Sequence, residues 1–189
     1  MSAGRPLAGV VTVGTDHHRF DRLMDWLESW NAAHPGAVRW QVQHGSTRPL
    51  AGAEGFTMMA RPQLLELLRA ADVVLTQGGP GGIMDSRECG TVPIVVPRLA
   101  RLDEVVDDHQ VAFGRHLSRN GLLVLAESES ELRAALDRAV AQPGRYHLTG
   151  AGTSDVSQAV AHFDAAVSRL LASRPARRGR RGTRQTANR

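Results

Sequence analysis

The apolar positions of this chain fall into two patterns that alternate along its length. Short, almost wholly apolar blocks at 10–13, 73–75, 94–96 and 122–125, and an apolar–polar alternation over 38–43, have the length and composition of buried or half-buried strands. Between them, apolar side chains recur every three or four residues: Phe20, Leu23, Met24, Leu27 and Trp30, then Leu64, Leu65, Leu67 and Leu68. A last such run carries Val156, Ala159, Val160, Phe163, Val167, Leu170 and Leu171. That spacing predicts helices with one face against a sheet. The punctuation agrees, with Asp16 placed to cap the first helix, Pro35-Gly36 to stop it, and Pro62 in the first turn of the next. Ser128 with Glu131 makes a capping box, while Asn120-Gly121 and Gln142-Pro143-Gly144 read as helix exits. A short strand is expected over 56–59 and a helix over 107–118. Five or six strands alternating with helices imply an α/β fold with a doubly wound, mainly parallel, Rossmann-like sheet.

The stretch ADVVLTQGGPGGIMDSRECGTVPIVVP, residues 71–97, reads as strand, glycine loop, helix and strand. At the carboxyl end of a parallel sheet, such a loop presents bare backbone N–H groups and a helix N-terminus, whose partial positive charge favours a phosphate. Asp85, expected near the first turn of that helix, is placed to accept hydrogen bonds from a ribose while the loop holds a diphosphate. GTDHH, at the first strand-to-helix turn, is a second anion loop, and DDHQ, residues 107–110, again stands where a loop becomes a helix.

Length and charge narrow the picture. A chain of 189 residues suits one compact domain, here 1–173, followed by a tail, 174–189, that holds seven arginines and no acid. Subtracting those seven from the net charge of +4 leaves −3 for residues 1–173, so the body is mildly acidic and the tail alone is basic. The tail has the composition of a disordered segment and lacks the aromatics of a nucleic-acid platform, so no nucleic-acid partner is expected. With one cysteine, no long apolar span and no signal-peptide pattern in MSAGRPLAG, the expected setting is cytoplasmic, with the tail attracted to the inner face of the membrane. The chain has no lysine, which excludes a Schiff-base or P-loop lysine. The histidines show no metal-ligand spacing, so no metal is expected.

Together, VTVGTDHHRFDRL, VQHGS, TQGGPGGIMD, PIVVPR and DDHQ, in this order and at these intervals, resemble the nucleotide-sugar-binding half of glycosyltransferase family 28. The likeness covers roughly residues 8–141. Within the family it is greatest to short bacterial exopolysaccharide glycosyltransferases and to the catalytic subunit of the two-part UDP-GlcNAc transferase. The resemblance implies the C-terminal half of a GT-B enzyme that binds a UDP-sugar as donor substrate and needs no cofactor. It also implies a separate, membrane-associated subunit for a lipid-linked acceptor. Carried over by position, Gly14 and Thr15 match a diphosphate-facing turn, and Gly45 and Ser46 a second loop of the cleft. Gly79, Pro80, Gly81 and Gly82 match the main phosphate loop, Asp85 the ribose carboxylate, and His109 and Gln110 the pair at the sugar and phosphate end. Five positions depart from the usual pattern: Gln77 stands where histidine is common, Gly82 where serine or threonine is, Asp85 where glutamate is, and Asp103 and Val105 interrupt a GEH-like approach to DDHQ.

On this reading the reaction is an inverting transfer that displaces UDP, with loop amides, the helix dipole and His17 or His109 stabilising the leaving diphosphate. Blander roles stand beside each assignment: the glycines as turn formers, Asp85 as a helix-start acid, His109 and Gln110 as a solvated helix start, and His17 and His18 as loop surface. His44, Cys89 and the three tryptophans read as structural. The rival enzyme reading is a nucleoside-monophosphate phosphoribohydrolase, whose PGGxGTxxE motif QGGPGGIMD matches in part. A dehydrogenase would need glycine at Met84. The non-enzymatic alternative is a helper subunit that stabilises a separate transferase.

Overall fold

The computed structural model describes residues 5–148 and Ala165. The expected carboxyl-terminal helix over 156–171 and the tail 174–189 lie outside the described residues. Six strands, β1 (Leu7–Thr12), β2 (Val38–Gln43), β3 (Glu54–Phe56), β4 (Val73–Gln77), β5 (Ile94–Val96) and β6 (Val124–Leu125), form one all-parallel sheet in the order β3-β2-β1-β4-β5-β6. Helices α1 (Asp21–Ala33), α2 (Arg61–Ala70), α3 (Pro80–Glu88), α4 (His109–Arg119) and α5 (Glu129–Ala141) connect or follow them.

Strand alternation distributes the core to both faces. Val11, Val73, Leu75, Ile94 and Val96 join Leu23, Met24, Leu27 and Trp30 of α1 and Leu132, Leu136 and Ala139 of α5. Their neighbours point the other way: Val10 and Val74 meet Leu64 and Leu68 of α2, and Val95 meets Ile83 of α3 with Phe113 and Leu117 of α4. A period of two along each central strand thus feeds two helical layers, the doubly wound arrangement the sequence implied. Gly9 is required by its neighbour across β1 and β2, because a Cβ there would lie 2.4 Å from the Trp40 ring and 2.5 Å from Val38.

Several boundaries differ from the sequence reading, each for a local reason. Asp16 does not cap α1; the helix begins five residues later behind Phe20, without a side-chain cap, and the Asp16 carboxylate takes the backbone N–H of His18 instead. The third strand pairs through Glu54–Phe56 rather than 56–59, leaving Met58 exposed. Leu122 and Leu123 are buried against α4 before the short β6 begins. The glycine stretch tightens into helix earlier than expected: Gly79 is the N-cap, Pro80 opens α3, and Asp85 falls on the second turn rather than the first. The predicted capping box is present, Ser128 accepting from Glu131 N and Glu131 accepting from Ser128 N. Cys89 packs beside the Leu64 and Leu68 cluster, and burial pushes its thiol above the ordinary range.

Candidate active site

In a sheet ordered 3-2-1-4-5-6, the chain leaves β1 toward one edge and β4 toward the other, so the loops after these strands diverge and open a crevice at their carboxyl ends. A cleft of about 520 Å³ lies there. Thr12, Gly14, Thr15 and Asp16 line it from β1, Gln77, Gly79, Pro80, Gly81, Gly82 and Asp85 from β4 and α3, and Met59, Arg61 and Leu64 from the start of α2. Sequence elements 60 residues apart thus converge on the anion loops proposed for them.

The N-terminus of α3 supplies donors. The first-turn amides of a helix have no intrahelical acceptor, and Pro80 at the opening position sacrifices none that the helix would use. Gly82 lies against Thr76, where a Cβ would come 2.4 Å from the Thr76 hydroxyl oxygen, so the backbone of the turn lies closer to the sheet than any side chain permits. Gly14 has φ of +76°, a conformation that glycine adopts without strain.

Two side chains hold the loops in register. Gln110 accepts at Oε1 from Gly78 N and from Arg98 N, both at 3.1 Å, tying the glycine loop to the segment after β5. Arg98, 1% exposed, donates to the carbonyls of Val13 (2.9 Å), His18 (2.8 Å) and Glu104 (2.9 Å), and its guanidinium stands over the Phe20 ring. Among the described residues it has no direct carboxylate partner, and burial lowers its pKa from the ordinary arginine value, partly offset by Asp16 and Glu104 nearby. Glu104 is engaged by Arg22 at 2.8 Å and by Leu99 N at 2.9 Å. Three loops, after β1, β4 and β5, are therefore fastened together beneath the cleft.

The remaining expected site residues are distributed around this frame. Gly45 lies behind the first turn, where a Cβ would be 3.0 Å from Gly14 O, and Ser46 is exposed; neither lines the cleft. His17, 84% exposed, borders an adjoining cleft of about 600 Å³ with His18, Arg22 and Glu104. His109 is exposed at the start of α4, its ring bonded to Asp107. Gln110 braces the phosphate loop as described. Sequence reasoning missed Arg61 and Arg98: Arg61 lies in no glycine-rich segment, and arginine at a strand exit ordinarily marks a solvated surface. Gln77 has its Oε1 buried with no hydrogen-bond partner among the described residues.

Asp16, His17 and His18 each offer one ligand atom within 4.8 Å of the others, the one such group found among the described residues. Asp16 Oδ1 accepts from His18 N at 2.9 Å and lies 2.6 Å from His18 Nδ1. The His18 backbone bond leads, with the His18 ring and Arg98 adding, in holding this carboxyl below its usual range. A depressed folded-state pKa means the contribution is complete above about pH 4 to 5 and is lost as pH falls through the lowered value. Asp16→Asn is therefore expected to flatten the acid limb of the stability profile below about pH 4. Thermal unfolding midpoints of the two proteins from pH 7 to 3 check this; parallel profiles would show that Asp16 contributes nothing.

The sequence profile of the glycosyltransferase family 28 C-terminal domain matches residues 10–162. The chain belongs to that family. Among solved structures, this family 28 domain is similar to the glycotransferase of kitacinnamycin, with a TM-score of 0.56 and 19% identity over 91% of this chain and 44% of that one. It is also similar to CalG4, the calicheamicin glycosyltransferase, with a TM-score of 0.54 and 14% identity over 89% of this chain and 39% of that one. At such identities the likeness is one of fold, and it places the family 28 sheet as the C-terminal half of a GT-B architecture. The chain spans less than half the length of either neighbour. Comparison with curated proteins gives no match. Among the described residues, no helix of the family 28 domain is long and apolar enough to cross a membrane.

Proposed function

We propose that this chain is the donor-binding half of an inverting glycosyltransferase, taking a UDP-sugar and passing its sugar to a lipid-linked acceptor held by a separate, membrane-associated subunit. The observation that carries the reading is the cleft at the switch point, where the α3 N-terminus and a carboxylate, Asp85, face one space. Its dimensions suit the ribose and diphosphate of a nucleotide, with phosphate oxygens against the Gly81 and Gly82 amides and the ribose toward Asp85. Glycosyl transfer breaks the bond between the anomeric carbon and the diphosphate oxygen, so negative charge grows on the diphosphate. Fixed amides and the α3 dipole are already aimed at that charge and need no reorganisation.

Asp85 is ion-paired and Asp16 is bonded to His18, so the base that deprotonates the acceptor hydroxyl is assigned to the partner half. Neither His17, in the loop after β1, nor His109, at the α4 start, lines the cleft itself; on this proposal either would meet the sugar or the outer phosphate once the second half closes over it. Diphosphate charge is met by dipoles and side chains, without a metal. The basic segment 174–189 adds attraction to an anionic membrane of about 1 kcal/mol per arginine near the surface.

Titration calorimetry with UDP, a UDP-sugar, AMP and NAD is the test. UDP or its sugar is expected to bind most tightly; a preference for AMP would move the assignment to a phosphoribohydrolase, and binding of none of them would leave the helper-subunit reading. With a radiolabelled UDP-sugar and a lipid acceptor, the purified chain is expected to turn over poorly until the partner is added. Full turnover by the chain alone would defeat the two-subunit proposal.

A further inference from the structure

Arg61 opens α2, and its guanidinium crosses the rim of the cleft to α3, with Nη2 2.7 Å from Asp85 Oδ1 and 3.4 Å from Glu88 Oε2. Both Arg61 and Asp85 line the cleft, but unequally: the Asp85 side chain is 16% exposed and that of Arg61 62%. The pair uses a single carboxylate oxygen. Among the described residues Oδ2 of Asp85 has no hydrogen-bond partner, and the Nη1 and Nε donors of Arg61 are likewise uncommitted. A guanidinium carries five N–H donors in a planar fork, so one ion pair leaves most of its capacity open.

A lone carboxylate grips a vicinal diol by accepting one hydroxyl on each oxygen. Here Oδ1 is already held by a charge-assisted bond, the stronger kind, and a hydroxyl would have to displace an arginine to take it. Leaving the pair intact offers a different match. Both members line the cleft and together keep an uncommitted acceptor, Oδ2, and uncommitted donors on Arg61, and neighbouring oxygens of a cis-diol stand about a hydrogen-bond length apart. A hydroxyl both donates and accepts, so one can donate to Oδ2 while its neighbour accepts from the guanidinium.

We propose that Arg61 and Asp85 form one composite recognition element for the ribose cis-diol, Asp85 Oδ2 accepting from one hydroxyl and Arg61 donating to the oxygen of the other. This rests on the nucleotide-sugar reading of the cleft, and it assigns to Arg61 a specificity role that neither glycine loop can supply. Arg61 offsets the Asp85 charge, so the pair would select ribose with less repulsion of the neighbouring diphosphate than a lone carboxylate adds. Losing one member removes recognition of one hydroxyl and leaves the other.

Titration of UDP, 2′-deoxy-UDP and 3′-deoxy-UDP into the full chain, its Arg61→Met variant and its Asp85→Asn variant tests the idea. The unsubstituted chain is expected to bind UDP about tenfold more tightly than either deoxy analogue, the size of one charge-assisted hydrogen bond. Arg61→Met is expected to abolish discrimination against one analogue while keeping it against the other. Asp85→Asn keeps an amide oxygen to accept but loses the ion pair, and is expected to weaken UDP binding more than Arg61→Met does. Because Arg61 is largely exposed, its variant is expected to keep the unfolding midpoint of the parent. Failure of the parent to bind UDP overturns the nucleotide reading itself. A parent that binds UDP while Arg61→Met leaves both discriminations intact, abolishes both, or binds UDP more tightly overturns the composite element alone.

Discussion

Arg98→Met is expected to lower the unfolding free energy by about 3 kcal/mol, in the range reached when a buried polar network is broken. Two effects oppose each other. Methionine removes a charge that burial disfavours, which by itself would stabilise the fold. It also strips partners from the carbonyls of Val13, His18 and Glu104, each buried or part-buried contact costing roughly 1–3 kcal/mol when left unmade. Three stranded acceptors outweigh the relief of removing one buried guanidinium whose Nε is itself unpartnered among the described residues, so the net sign is destabilising. Urea unfolding followed by circular dichroism reads the midpoint, and an unchanged or raised midpoint would show that desolvation wins. The same variant is expected to bind UDP weakly even where folded, because the Gly14-Thr15 turn loses the anchor beneath it.

Gly79→Ala is expected to weaken UDP binding tenfold or more, about 1.4 kcal/mol, while leaving the fold intact. Gly79 has φ of −78° and ψ of 143°, ordinary extended backbone open to any residue, so the effect is steric and not conformational. A Cβ there would stand 2.1 Å from Gln77 Nε2 and 2.9 Å from its Cδ, and on the other side that amide is already 3.1 Å from where a Gly14 Cβ would sit. Gln77 itself lines the cleft, so an amide pushed off by a Cβ at position 79 is expected to crowd the space proposed for the nucleotide. The double variant Gly79→Ala, Gln77→Ala is expected to regain most of the lost affinity. If the single substitution binds UDP normally, the amide has another way out; if the double variant stays weak, Gly79 itself is needed at the phosphates.

Much of this arrangement was legible in the residues because it rests on local rules. Strand blocks of three or four residues, the helix faces of α1 and α2 at spacing three and four, and the Ser128–Glu131 box depend on neighbours in sequence, and these are found in the structure. The glycine loop was legible for the same reason. What escaped depends on groups far apart in the chain. Nothing near Arg98 announces that it will be buried 85 residues from the carbonyl of Val13, and nothing near Arg61 announces Asp85 across the rim. Asp16 misled as a cap because its side chain found a closer donor in the His18 backbone before α1 began. Glutamine at 110 was legible as a position and not as a brace, since its two donors arrive from different loops.

The sheet ends in short strands on both sides, β3 with three residues and β6 with two. An edge so brief offers little unpaired ladder to another chain, and strand addition across it would form only a bond or two. Among the described residues, the domain therefore has little means of extending its sheet into a neighbour. On the two-subunit proposal, assembly with a second half would fall to the loops at the carboxyl ends of the strands, where contacts could open and close as a donor enters and the nucleotide departs.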